Sequence, residues 1–228
     1  MKRLLVLSAL ILTACGAGTP SPTPQPLRVQ YTFAAQTWLG ELGDCAPQTP
    51  VVPELRAADY LDLTDADVAI RIGVPSPLLF PAYEIASEEV VVVIHAQNSA
   101  ASLTVEQVRG LFSGAITNWR QVGGTDGAVQ AWIFAAGEDV QQIFDFTVMQ
   151  GTPVVSSARL AAGPEEMATS VASDPRAIGI LTGHWTAGNL RVALAAATVP
   201  VLVILAEGST ETVEAIVACM QERGALRP

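Results

Sequence analysis

Positive charge is scarce in this chain: its 228 residues hold 12 Lys and Arg against 22 Asp and Glu. Lys2 and Arg3 sit at the very start, and beyond them ten basic residues face 22 acidic ones, a net charge of about −12. A surface of that sign repels nucleic acid and anionic lipid, and it gives no steering to an anionic ligand. Long apolar runs are few as well, and after the first dozen residues none approaches the roughly 20 that cross a bilayer. Motifs of covalent chemistry are missing too. No Gly-x-Ser-x-Gly elbow, His-Glu-x-x-His helix, Cys–His pairing or Gly-x-x-x-x-Gly-Lys loop is present, so no catalytic residue, metal or cofactor is expected and the chain reads as a non-enzyme. The three cysteines, at positions 15, 45 and 219, have no zinc-site spacing, and there is no internal repeat.

What is present begins with a leader. Met1, Lys2 and Arg3 form a basic start, residues 4–12 are apolar, and Leu12-Thr13-Ala14-Cys15 follows. The apolar run is too short to be an anchor helix, so residues 1–14 read as a signal peptide. The four-residue box resembles that of bacterial lipoproteins. That resemblance implies cleavage before Cys15, acylation of Cys15, and an extracytoplasmic protein held to a bacterial membrane by its N-terminal lipid, in the periplasm or at the cell surface. Within residues 15–26, Pro20, Pro22, Pro24 and Pro26 alternate with small polar residues. Such spacing blocks helix and sheet ladders and favours an extended tether of roughly 3 Å per residue, so folding is expected from about Leu27 onward. With Cys15 acylated, Cys45 and Cys219 remain in an oxidising compartment, either as a disulfide or as two buried free thiols.

The remainder alternates strands and helices. Leu27, Val29, Tyr31 and Phe33 alternate with polar residues as a strand, and residues 34–42 read as a helix with Trp38, Leu39 and Leu42 inward, broken at Gly43-Asp44. Residues 67–72 form a second alternating strand. Residues 89–95 are apolar almost throughout, as in a strand covered on both faces. Residues 130–134, 177–181 and 199–205 complete the strands. Helices are expected over 137–149, from Pro164, and from Ser209 or Thr210 to Gly224, the last burying Val213, Ile216, Val217 and Met220. This order argues an α/β fold with mainly parallel pairing.

One stretch, residues 103–124, LTVEQVRGLFSGAITNWRQVGG, is more specific. Thr104 and Gln107 form a capping box, Val105, Val108, Leu111 and Phe112 share a helix face, Gly114 stops the helix, and Trp119 sits in turn chemistry. The wording resembles a segment of phosphate-binding-protein-like solute receptors, type II periplasmic binding proteins that serve ABC importers. ADVAIRIG at 66–73, EEVVVVIHAQN at 88–98 and DPRAIGIL at 174–181 resemble further elements of that family, so the likeness spans most of residues 27–223. It implies a two-lobed fold with a double crossover, residues 27–90 and 182–228 forming lobe one and 91–181 lobe two. It also implies a monomer that carries a small-molecule ligand to an importer permease, and it places Cys45 and Cys219 in the same lobe.

The ligand motif departs from the family's. Phosphate binders carry an Arg followed by Gly-Ser-Gly-Thr and a Phe; with Phe144 as anchor, Gly137, Glu138, Asp139 and Val140 stand at those four positions and the Arg has no counterpart. A helix start attracts anions, whereas two carboxylates there repel an oxyanion. By matching position the ligand-binding candidates are Thr32 and Gln36 after the first strand, Arg71 and Ser76 after the second, and Gly137, Glu138 and Asp139. Arg71 on its alternating strand also fits a surface or ion-paired arginine, and the two acids fit the acidic first turn of an ordinary helix. His95 and His184 stand alone and are read as structural. Two readings follow: an importer receptor, or a degenerate binding-protein fold acting as a surface interaction or sensory module with no small-molecule ligand.

Overall fold

In this computed structural model of the chain, residues 25–225 are described; the expected signal peptide, Cys15 and most of the tether lie outside them. Strand β1 (Leu27–Tyr31) leads through a 3-10 turn (Phe33–Trp38) into α1 (Leu39–Cys45), then β2 (Val51–Leu55), a short turn (Ala58–Tyr60), β3 (Val68–Ile72) and the long β4 (Ala82–His95). Next come α2 (Val105–Ser113), β5 (Gln130–Ile133), α3 (Asp139–Phe144), which continues as a π-helical turn (Asp145–Met149), and β6 (Arg159–Leu160). Helix α4 (Pro164–Ser173), β7 (Ala177–Thr182), β8 (Leu190–Leu205) and α5 (Glu211–Gly224) complete it.

All eight strands form one sheet in the order β2-β1-β3-β8-β4-β7-β5-β6. Four of its seven neighbouring pairs are parallel, and the three antiparallel ones all involve β4 or β8. The architecture is the expected α/β one, with a mainly parallel group at each end. β4 and β8 pair antiparallel from Ala82↔Ile204 to His95↔Leu190, with three register shifts. β3 pairs with the 201–205 end of β8, and β7 with residues 90–94 of β4. The two strands thus join one half of the molecule to the other, and the register sets residues 190–197 beside 90–95, on the side of β7.

Local sequence rules hold where they are strongest. Thr104 and Gln107 make the reciprocal capping box, Gly114 ends α2 in the left-handed region at φ +79°, and Val108, Leu111 and Phe112 are buried. Trp119 is fully buried, and its indole N–H donates to the Arg176 carbonyl at 2.8 Å. In α5 the four expected apolar residues are the buried ones, together with Gly224.

Four expectations are corrected. The first helix does not break at Gly43-Asp44 but runs on to Cys45. β2 was not expected, because Pro53 removes a donor; it lies at the sheet's edge, where one ladder suffices. β3 is buried at all five positions, so its apparent alternation marks no solvent face and Arg71 is an interior residue. Lying between β1 and β8, β3 is covered on both sides. His184 is not alone either: its Nδ1 lies 3.2 Å from both Thr182 Oγ1 and Glu88 Oε2.

Cys45, at the end of α1, is bonded to Cys219 on α5, closing a loop across 174 residues. Cross-linking so long a loop removes chain entropy from the unfolded state. Reduction, or replacing both with Ser, is expected to lower the unfolding free energy by about 5 kcal/mol in the entropy model, read from urea unfolding with and without reductant.

Candidate functional site

The end of β1 and the end of β3 lie side by side because the two strands are parallel neighbours. Thr32, just past β1, is extended, and its N–H donates to the Ile70 carbonyl at 3.1 Å. This points its hydroxyl away from the ladder and toward the opposite half of the molecule. α3 comes from that half, and Asp139 at its first position fills the gap. The Thr32 hydroxyl donates to Asp139 Oδ2 at 2.6 Å and the Ile72 N–H donates to the same oxygen at 3.1 Å, while Oδ1 accepts from the Val140 N–H at 2.9 Å. Asp139 has 0% exposure. Asp139 does lie in the acidic first turn of α3, but as a buried bridge between the halves.

Arg71 lies beside it, 6% exposed. Its Nε donates to the Ile72 carbonyl at 3.2 Å and its Nη2 to Gln142 Oε1 at 3.4 Å. Among the described residues no carboxylate oxygen comes within 4.0 Å of its guanidinium. Burial pushes the Arg71 guanidinium below its usual value, with Asp139 and Asp59 acting against that shift.

A second bridge runs through Asp59, which sequence reasoning missed because it lies in a connector with no motif. The Asp59 N–H donates to the Gly137 carbonyl at 3.1 Å, and its Oδ1 accepts from Gln142 Nε2 at 2.7 Å. A Cβ on Gly137 would stand 3.4 Å from Asp59 Oδ2, in ordinary contact with it. Gly73, where β3 turns away at φ +70°, faces Ile143 Cδ1 at 3.1 Å from an ideal Cβ. Both the turn and the approach call for glycine.

Glu138 shares the crossing with different chemistry. Its Oε2 is buried and has no hydrogen-bond partner among the described residues. Burial, then Asp139 and Asp59, push its carboxyl up to about 7. Asp139 is also raised, chiefly by burial, against the bonds from Thr32 and Ile72 and the charge of Arg71. The two adjacent acids therefore differ in kind: one is fully bonded, the other lacks a donor.

Next to these bridges opens a cleft of about 900 Å³, with walls from both halves and from the middle of β8. Arg71, Ser76 and Gln142 line it, with the apolar side chains of Val74, Ile143 and Phe146. Phe146 is 83% exposed, unusual for an aromatic without a partner. The structure thus brings Thr32, Arg71, Gly137, Glu138 and Asp139 to one crossing and sets Ser76 on the adjoining wall. Gln36 is exposed and lies outside that lining.

Comparison with known proteins agrees with this architecture. A family model described as a PBP superfamily domain matches residues 81–218. A Clostridium perfringens structure with bound phosphate, assigned as a phosphate ABC transporter substrate-binding protein, is similar at TM-score 0.79 and 16% identity, over 88% of this chain and 95% of that one. An ABC-type phosphate transport receptor from Vibrio cholerae gives 0.69 and 17%, over 87% and 95%. The CcmR regulatory domain from Synechocystis in complex with 2-PG gives 0.66 and 13%, over 89% and 99%. At these identities the likeness shows the fold and leaves the ligand open.

The Glu138 carboxyl yields a signed pH dependence. Its folded value lies above the ordinary one of 4.5, so the folded state holds a proton that the unfolded state releases between those values. The contribution is fully present below about 4.5 and is lost as pH rises through about 7. Glu138→Gln is therefore expected to raise Tm over wild type at pH 8 and to change it little at pH 4.5, checked by thermal melts across that range.

Proposed function

This chain belongs to the PBP superfamily, and from that membership we propose that it is an extracytoplasmic solute-binding protein, the receptor of an ABC importer. In this reading Cys15 carries the lipid, residues 15–26 hold the domain off the membrane, the receptor is a monomer, and its partner is a permease. Its lobes are residues 27–90 with 182–228 and residues 91–181. Closure of two lobes on a ligand is the motion that such an arrangement permits.

One observation carries the ligand reading: a cleft of about 900 Å³ lies between the halves with the buried, un-ion-paired Arg71 in its wall. A pocket of mostly apolar walls with a few converging polar groups is the usual form of a small-molecule site. The solute that fits is a small organic molecule with an apolar body against Val74, Ile143 and Phe146 and an anionic or carbonyl group toward Arg71. Free phosphate fits poorly, because Glu138 and Asp139 stand at the helix start where a phosphate binder presents donors. The second reading, an interaction or sensory module, draws on the Asp139 bond to Thr32, which ties the halves together without a ligand.

Thermal unfolding of the purified protein against amino acids, small organic acids, polyamines, divalent metals, sulfate and phosphate separates the two. A ligand at about 100 times its Kd adds roughly 2.7 kcal/mol, which raises Tm by about 5 to 10 °C in a domain of this size. The receptor reading expects that shift from an organic acid or amino acid and none from phosphate. A shift with phosphate alone overturns the ligand class, and no shift across the panel favours the module.

A further inference from the structure

We propose that Asp139 is a resident anion: its carboxylate occupies an oxyanion subsite built from both halves of the molecule, and so keeps a free oxyanion out of that subsite. The inference rests on the receptor reading for its biological meaning, but its test does not.

The subsite is defined by what surrounds the carboxylate. Its two oxygens accept from the Thr32 hydroxyl, the Ile72 N–H and the Val140 N–H at 2.6, 3.1 and 2.9 Å, and the Arg71 guanidinium acts on it through charge. Each of these partners donates to the carboxylate. Thr32 and Ile72 reach it from another part of the fold, 107 and 67 residues away in sequence. An aspartate in the first turn of a helix is stabilised equally well in water, facing its own amides. Here it is taken wholly out of water, which costs several kcal/mol unless donors replace the lost hydration. Hydroxyl, backbone amides and a guanidinium are the groups that bind carboxylate, sulfate or phosphate. The side chain is thus doing what a bound anion would do, while attached to the chain. Asp139→Ala would remove the carboxylate and leave its donors pointing at a space about the size of formate.

The test is chemical rescue. Asp139→Ala is expected to melt below wild type, and sodium formate, compared with sodium chloride at equal ionic strength, is expected to raise its Tm saturably by about 5 °C. Wild type should show no such difference between the salts. Asp139→Asn keeps the space filled and should not respond, and adding Thr32→Val to Asp139→Ala should abolish the rescue. A folded Asp139→Ala with no formate-specific rise overturns the proposal, as does an equal rise in wild type. Should the variant not fold in buffer, recovery of its native circular dichroism in formate but not in chloride supports the subsite, and failure to fold in either overturns it. A receptor that ignores every solute in the panel would still give the rescue, so the two readings fail separately.

Discussion

The antiparallel ladder of β4 and β8 is the constraint on which the rest of the molecule depends. Fourteen and sixteen residues long, these are the longest strands of the fold. Every other strand reaches the core through one of them, β3 on the 201–205 end of β8 and β7 on residues 90–94 of β4. Residues 90–94 are all within 1% of full burial, which is why they need no polar face. Because the ladder is shared, neither half has a separate sheet, and relative motion of the halves must be taken up where the register is irregular. Shifts at Glu84/Ala86, Val90/Val91 and Val92/Val93 fall along that shared stretch. Bulges of this kind bend and twist a strand locally, so the bend between the halves is set by the same residues that hold them together.

Across that bend the halves meet through polar groups. Asp139, Thr32 and Ile72 form one crossing, and Asp59, Gly137 and Gln142 form another, with Arg71 reaching Gln142 between them. Apolar contact would hold the halves at many relative positions, whereas hydrogen bonds at 2.6 and 2.7 Å hold them at one. Such a contact is specific and breakable. The halves also share the buried Phe33–Phe134 ring contact at 4.7 Å, so parting them exposes apolar surface as well as a charge and a hydroxyl.

Much of the frame was legible from sequence because it rests on local rules. The Thr104–Gln107 capping box, the left-handed Gly114 and the buried face of α5 depend on residues within a turn or two of each other. What escaped depends on distant neighbours. Residues 82–88 of β4 and 190–198 of β8 read as polar or small, and each is held as strand by a distant stretch of the other, 199–204 and 89–95 respectively. β2 hid behind Pro53, and β3 looked half-exposed because Arg71 broke an otherwise apolar run. The site was legible in part for the same reason. Thr32, Arg71, Gly137, Glu138 and Asp139 could be named from a matched pattern, but Asp59 carries no pattern, and the side of the helix on which each acid falls is set by the sheet beneath it.

That last point governs the chemistry. Glu138 and Asp139 are consecutive and alike in sequence, yet one finds three donors and the other leaves a buried oxygen without any. Asp139 is the shorter side chain and the first residue of α3, so its carboxylate stays close to the backbone, where Ile72 and Val140 present their N–H groups. Glu138 precedes the helix and makes no side-chain cap, and its longer arm meets Asp59 and Asp139 instead of donors. The crossing thus holds one carboxyl that is fully hydrogen-bonded in place and one that burial, then its acidic neighbours, pushes toward the protonated form. A helix start that in a phosphate binder would face an anion here faces a carboxylate of its own, and this turns the recognition problem outward, to the cleft where Arg71 still lacks an ion-pair partner.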